Sequence, residues 1–265
     1  MRIDNEPGYI LHQKPFSETS VLLDVFTQNH GRVGLIAKGA KRPRSPFKPY
    51  LFPFKLLRLS YVGKNELKTL TLLDSHEDFN HYTHGNQLIF GLYLNELILR
   101  FLKKEDPHPE LFSAFHLSMG YLFGLDELCE KYNLSKNHLS QIILRATEIN
   151  LLMSVGYGIE FSKISHTYNP IILTDNYYYD PVIGFNQILT SRQENSYVIP
   201  GKIICLLSFL DSNQLDVFLN QLVNLDIDLN LALRLAKKIL RQALDFHLGE
   251  KKIHTRELAG IEWLT

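Results

Sequence analysis

Nine cations and no carboxylate lie between Asp24 and Glu66: Arg32, Lys38, Lys41, Arg42, Arg44, Lys48, Lys55, Arg58 and Lys64. At average usage a stretch of that length carries about four acids. Phe47, Tyr50, Phe52, Phe54 and Tyr61 are interleaved with these cations. Cations follow a phosphate backbone and ring faces stack on unpaired bases, so the combination suits single-stranded nucleic acid. A solvated basic face over an aromatic core has the same composition, and composition alone leaves both readings open.

A second group of residues able to do chemistry is His76, Glu77, Asp78, His81 and His84, whose imidazoles and carboxylates could collect a divalent metal. Three histidines in nine residues more often mark a solvated connection, and no general-base partner is evident beside them. No G-x-x-x-x-G-K-[ST], strand-borne G-x-G-x-x-G, G-x-S-x-G or H-E-x-x-H occurs, which removes the sequence supports for phosphate cradling, dinucleotide binding and the common hydrolases. Cys129 and Cys205, far apart, form neither a disulfide framework nor a C-x-x-C pair and read as small apolar helix residues. No cofactor and no metal are expected.

The whole chain is ordinary in composition: 265 residues, 45% hydrophobic, 21% charged, with 28 basic and 28 acidic side chains. The zero net charge conceals a polarity. Residues 1–80 hold 12 Lys and Arg against 8 Asp and Glu, leaving 16 against 20 for the remainder. The length fits one large domain or two small ones, with a slight preference for two. Asp4 and Glu6 fall where a secretory signal needs a cationic and then an apolar run, and Leu88 to Leu102 is interrupted by Asn95, Glu96 and Arg100. Neither a targeting signal nor a membrane span is predicted, and a cytoplasmic location is expected.

The elements that must position these residues divide into two textures. From Tyr9 to Leu73, short Val-, Ile-, Leu-, Phe- and Thr-rich segments punctuated by Pro and Gly predict strands near 8–14, 19–27, 32–38, 52–61 and 66–73, the count of an OB-type barrel. Turns are expected at Asn29-His30-Gly31 and Gly63-Lys64-Asn65. Between the third and fourth strands, Gly39 to Pro46 is too rich in proline and like charge for helix or central strand, and a mobile basic loop is predicted. After Asp74, apolar spacing of three and four predicts helices near 86–103, 108–123, 136–155, 201–221 and 229–248, with Ser135 as an N-cap and Gly249 past the last end. Residues 157–199 form an irregular insert following the helix stop Gly156-Tyr157-Gly158, with a small hairpin expected from Ile171–Leu173 and Tyr177–Tyr179. The predicted fold is therefore multidomain α+β, with an OB-fold barrel over 1–80 and an α-helical domain over 81–265.

Several ordered pieces of this sequence resemble one family. ETSVLLDVFT (18–27), HGRVGLIAKGAKRPRS (30–45) and GKNELKTLT (63–71) look like the amino-terminal signature of RecO, the bacterial recombination mediator and DNA repair family. The resemblance continues through YLNELILRFL (93–102), LRATEINLLMSVGYGIEF (144–161) and HLGEKKIHTREL (247–258). It implies an OB-fold followed by helices, in agreement with the periodicity. It also implies a non-enzymatic protein that binds single- and double-stranded DNA and anneals strands coated by single-stranded DNA-binding protein. With RecR, such a protein promotes RecA loading, in some cases with RecF, and it is nucleoid-associated.

Carried over by position, Arg32 and Lys38 on the third strand and Lys41, Arg42 and Arg44 on the loop are the main DNA-binding candidates. Lys48, Lys55 and Arg58 stand second. Arg32 and Lys38 lie an even number apart and are expected on one strand face. The family's helical half also docks the acidic, phenylalanine-ended tail of single-stranded DNA-binding protein. Arg145 is the best-placed match for that tail, with Arg234, Lys238 and Arg241 as companions recurring at four and three. Many relatives carry a four-cysteine zinc site after the GYG turn, whereas residues 157–199 here contain no cysteine. That insert is expected to hold itself by packing through Tyr177, Tyr178, Tyr179 and Phe185. His254-Thr255 replaces the family's usual Lys-Ser before Arg256. The competing readings are an RNA-binding OB protein and a metal-dependent nuclease using the His76 to His84 group.

Overall fold

The first strand does the work of two. In the computed structural model, β1 (Arg2–Pro15) pairs antiparallel with β2 (Val21–Thr27) along its second half and with β4 (Leu56–Val62) along its first. Register shifts at Ile3/Glu6 and Ile10/His12 bend it between the two partners, as bulges do. Asn5, within the first shift, has φ 56, a conformation that Asn tolerates better than most residues. β3 (Gly31–Ala37) runs antiparallel to β2, and β5 (Leu67–Ser75) runs parallel to β3 and antiparallel to β4. The order β1-β2-β3-β5-β4 closes into a five-stranded OB-type barrel. Closure leaves no edge strand open to aggregation. The structure describes residues 1–75, 85–188, 197–211 and 214–258.

The barrel interior is filled from every strand, by Ile10, Leu23, Val25, Leu35, Leu57, Leu59 and Tyr61 among others. Helices α1 (Asn86–Phe101) and α2 (Pro109–Phe123) cover part of its outside. Tyr9 and Phe26, directly paired across β1 and β2, meet Phe112 and Phe115 of α2 at ring separations of 5.3–5.9 Å. Leu11 is skipped in the β1–β2 register, and Asn95 of α1 donates to the carbonyl so freed, at 3.1 Å. These contacts explain why the first compact unit, Met1–Gly124 together with Ile253–Thr265, extends well past residue 80 to take in α1 and α2.

The second unit, Leu125–Lys252, contains α3 (Leu125–Tyr132), α4 (Lys136–Ser154), α5 (Gly201–Leu207), α6 (Leu215–Asn224) and α7 (Leu229–Leu248). Ser135 caps α4 by accepting from the His138 N–H, Asp228 caps α7 by accepting from Leu231, and Gly249 ends α7 at φ 60. The single helix expected over 201–221 is two, α5 and α6. The segment 208–214 between them is rich in Ser, Asp, Asn and Gln, side chains that compete for backbone hydrogen bonds. α3 is absent from the predicted helices although Leu125, Leu128, Cys129 and Tyr132 recur at three and four, because its eight residues are shorter than the stretch over which such a period stands out.

The insert carries a three-stranded sheet, β7-β6-β8, from β6 (Asn176–Asp180), β7 (Gly184–Gln187) and β8 (Ile199–Pro200). Ile171–Leu173 is not a strand, contrary to the expected hairpin; β6 pairs instead with the segment after its own turn. Tyr177, Tyr179 and Phe185 are buried, with Phe161 and Tyr179 packing on the Phe185 ring at 5.8 and 5.1 Å. Burial, then the neighbouring Asp180, pushes the Tyr179 hydroxyl up to about 12. Among the described residues no helix is long and apolar enough to cross a membrane.

Candidate nucleic-acid interface

The two ends of the barrel are closed by different kinds of chain. At one end lie the β2–β3 and β4–β5 turns, where the α1–α2 connection packs over β3. Gly31 there has φ 65, and a Cβ on it would fall 2.0 Å from the Asp106 carbonyl oxygen. Glu105 N–H donates to the Arg32 carbonyl at 2.9 Å, and the buried Lys68 ammonium is bonded to the Glu105 carboxylate. Glu66 pairs with Lys104 and Glu6 with His30, so this end mixes both signs of charge.

The opposite end gathers the β1–β2 turn and the long β3–β4 connection. That connection is not the mobile loop expected from its composition. Hydrogen bonds from Ala40 to Ala37, Arg42 to Gly39, Ser45 to Arg42, Lys48 to Ser45 and Tyr50 to Phe47 make it a succession of turns. Ala40 is buried in the barrel core, and Phe47, Tyr50 and Leu51 pack against it. The physical reason is the alternation of side chains. Apolar residues of the connection face the barrel, while Lys41, Arg42, Arg44 and Lys48 are left exposed.

Lys38, Lys41, Arg42, Arg44 and Lys48 are accordingly exposed, as is Lys14 near the end of β1, and Lys55 is half-buried. Lys41 ties the connection to the β1–β2 turn: its N–H donates to the Thr19 carbonyl at 2.9 Å and its Nζ to that of Ser17 at 2.7 Å. Among the described residues the ion pairs made by barrel Lys and Arg are Arg2–Asp4, Arg58–Asp74 and Lys68–Glu105, together with Glu66–Lys104. None involves the cations of the capped end. Unpaired charges held on one short surface add their potentials, which attracts a polyanion and is weakened by salt.

Two of the expected DNA-binding cations are engaged elsewhere. Arg32 donates from Nη1 to the Leu99 carbonyl at 2.5 Å, a contact with α1 that no local pattern on β3 foretells. β3 ends at Ala37, so Lys38 stands just beyond the strand, and the two residues do not form the shared strand face anticipated. Arg58 bonds the Ser75 carbonyl at 3.3 Å and lies 3.8 Å from Asp74. Of the five aromatic residues in the run, Tyr61 and Phe54 are buried, the latter against Gly91 and Phe123. Burial, reinforced by Glu6 and Glu105, pushes the Tyr61 hydroxyl far up, so it stays protonated. A hydrogen bond to Asp74 raises the Tyr50 hydroxyl. Phe52 alone of the five is exposed, at 57%. The sequence reading overlooked Lys14 and Phe16; a phenylalanine between Pro15 and Ser17, outside any alternating pattern, was the available signal.

In the second unit Arg145 is 4% exposed and its Nη2 lies 2.9 Å from the buried Glu148 carboxylate, one turn on along α4. This corrects its expected place in a surface groove: a guanidinium desolvated and ion-paired inside the helix packing is out of reach of a partner's tail. Arg234 and Lys238 are exposed on α7. Lys238 Nζ sits 5.1 Å above the Tyr197 ring, whose hydroxyl donates to Gln242, and Arg241 lies 3.7 Å from Asp245. The three α7 cations thus share a face with an aromatic ring against it. The His76 to His84 group lies outside the described residues, and among those described no cluster of three potential metal ligands occurs.

Residues 1–79 match the family model for Recombination protein O, N terminal, and residues 83–257 that for Recombination protein O, C terminal. The chain is 35% identical over 251 residues to the DNA repair protein RecO of Actinobacillus pleuropneumoniae serotype 5b (strain L20), covering 95% of this chain and 92% of that one. The corresponding protein of Polynucleobacter asymbioticus is 32% identical over 258 residues, covering 97% and 96%. That of Nitrosospira multiformis is 33% identical over 261 residues, covering 97% and 95%.

Proposed function

The chain belongs to the RecO family of DNA repair proteins, and on that premise we propose that it binds single- and double-stranded DNA through the basic end of its barrel and anneals complementary strands. The reading extends to strands coated by single-stranded DNA-binding protein and, with RecR, to the loading of RecA. The observation that carries it is the capped barrel end, where Lys38, Lys41, Arg42, Arg44 and Lys48 are exposed on the solvent side of a connection whose apolar side closes the core.

Pairing two strands makes and breaks no covalent bond. What it requires is cations that screen two phosphate backbones while the bases remain free to find partners, and lysines and arginines free of carboxylate partners do that. The Arg234, Lys238 and Arg241 face of α7, with Tyr197 against it, is the surface we assign to the acidic tail of the coating protein, because it combines positive charge with an aromatic ring. A role on DNA fits a cytoplasmic, nucleoid-associated protein.

Strand annealing, followed with naked and with coated complementary oligonucleotides, tests the assignment. The protein is expected to accelerate both. Exchange of Arg234 and Lys238 for alanine is expected to slow the coated reaction several-fold and spare the naked one; equal loss on both would remove α7 from the tail site, and no acceleration of either would overturn the annealing reading.

A further inference from the structure

We propose that Phe16 and Phe52 are base-stacking platforms that give the basic end of the barrel its preference for unpaired strands. The inference rests on the reading of that end as a DNA interface and adds what the cations cannot supply, since phosphate contacts alone do not separate one strand from two.

Both rings stand in solvent, Phe16 at 56% and Phe52 at 57% exposure, although each is flanked by segments that bury their own apolar residues well. Each residue is more than half exposed beside a packed core, which leaves ring surface open to a ligand. Each is also held in place. The Phe16 N–H donates to the Ser20 carbonyl at 3.1 Å, closing the β1–β2 turn, and Lys41 clamps that turn through Ser17 and Thr19. Phe52 follows Leu51, whose side chain packs on the core and whose carbonyl accepts from Gln13 Nε2 at 3.3 Å.

The Gln13 contact brings the Phe52 segment to the second half of β1. Phe16 lies three residues beyond Gln13, just past the end of β1, so both residues belong to the same end of the barrel. Bases in a duplex are stacked on one another about 3.4 Å apart within each strand, with no face free for a side chain. A ring presented at the surface can therefore stack only on a base that has come out of the duplex. Exposed lysines and arginines on the same turns, Lys14, Lys41 and Lys48 among them, hold the backbone while the rings take the bases. Phe47, Tyr50, Phe54 and Tyr61 have no such part, because the first two pack on the barrel core and the others are buried.

The test uses the full chain, a labelled oligothymidine, an abasic strand of equal length and charge, and a blunt duplex. The unaltered protein is expected to prefer oligothymidine to the abasic strand. Phe16→Leu with Phe52→Leu, which keep the apolar volume, are expected to weaken oligothymidine binding by about tenfold per ring and to leave abasic and duplex binding and the salt slope unchanged. Loss of equal size on all three probes, or no loss on oligothymidine, would overturn the stacking role while leaving the basic interface standing. Failure of the unaltered protein to bind any probe would overturn the interface and the platforms together. Thermal denaturation of the double variant, expected to match the parent, excludes a folding defect as the source of any loss.

Discussion

At the scale of single residues, side chains that look alike in the sequence are separated by what they meet. Glu96 illustrates it. Its carboxylate accepts from the backbone N–H groups of His254 and Thr255 at 2.9 and 2.8 Å, from the Thr255 hydroxyl at 2.8 Å and from Arg100 at 3.2 Å. Burial works to raise its pKa, but these four donors together outweigh it and the net shift is downward. The His254-Thr255 pair therefore serves α1 through its backbone and one hydroxyl. A carboxyl lowered on folding stabilises above its ordinary value of about 4.3, and that contribution is lost as the pH falls through the lower folded value. Glu96→Ala is expected to cost the docked segment about 1.5–3 kcal/mol, the range for hydrogen bonds to a charged group. Amide exchange at residues 254–257 reads this directly: lower protection, relative to the intrinsic rate at each pH, in the variant at neutral pH and in the parent only under acid is the expected pattern. Unchanged protection in the variant would contradict it.

At the scale of elements, the strands, the long helices and their caps follow from local pattern, and the departures have local or nonlocal causes that can be named. Ser135 and Gly249 mark helix ends because the capping chemistry is carried by the residue itself. The β3–β4 connection was legible as basic and turn-rich, yet its role as a plug depends on Ala40, Phe47 and Leu51 finding a barrel end built from distant strands. Arg32 was legible as a cation, but its partner, the Leu99 carbonyl, lies 67 residues away. Arg145 and Glu148 form an i,i+3 pair of a kind usually found on solvated helix faces, and only the packing around α4 buries it. The closed, mixed-charge end makes its own prediction. Gly31→Ala places a Cβ against the Asp106 backbone in a left-handed conformation, so it is expected to destabilise by more than about 1 kcal/mol. Denaturant titration checks this, and a stability equal to the parent's would show that the α1–α2 connection is not seated there.

At the scale of the whole chain, a net charge of zero conceals a barrel with one end of mixed charge and another whose exposed lysines and arginines make no ion pair among the described residues. One end is closed by a connection whose Lys104 pairs with Glu66 and whose Glu105 pairs with Lys68; the other is closed by a connection whose cations make no ion pair among the described residues. The function proposed for this RecO-family chain depends on that difference, because counterion release from a phosphate backbone grows with the number of cations that engage it.

The most direct measurement is the slope of single-strand affinity against salt. Replacing Lys41, Arg42 and Arg44 together by alanine is expected to weaken binding to all sequences alike and to reduce the slope by about 2, at roughly 0.7 per lost phosphate contact. Replacing Lys64, at the opposite end, is expected to leave the slope as it was. A triple variant with the parent's slope, or a Lys64 variant that lowers it as much, would contradict a one-ended interface.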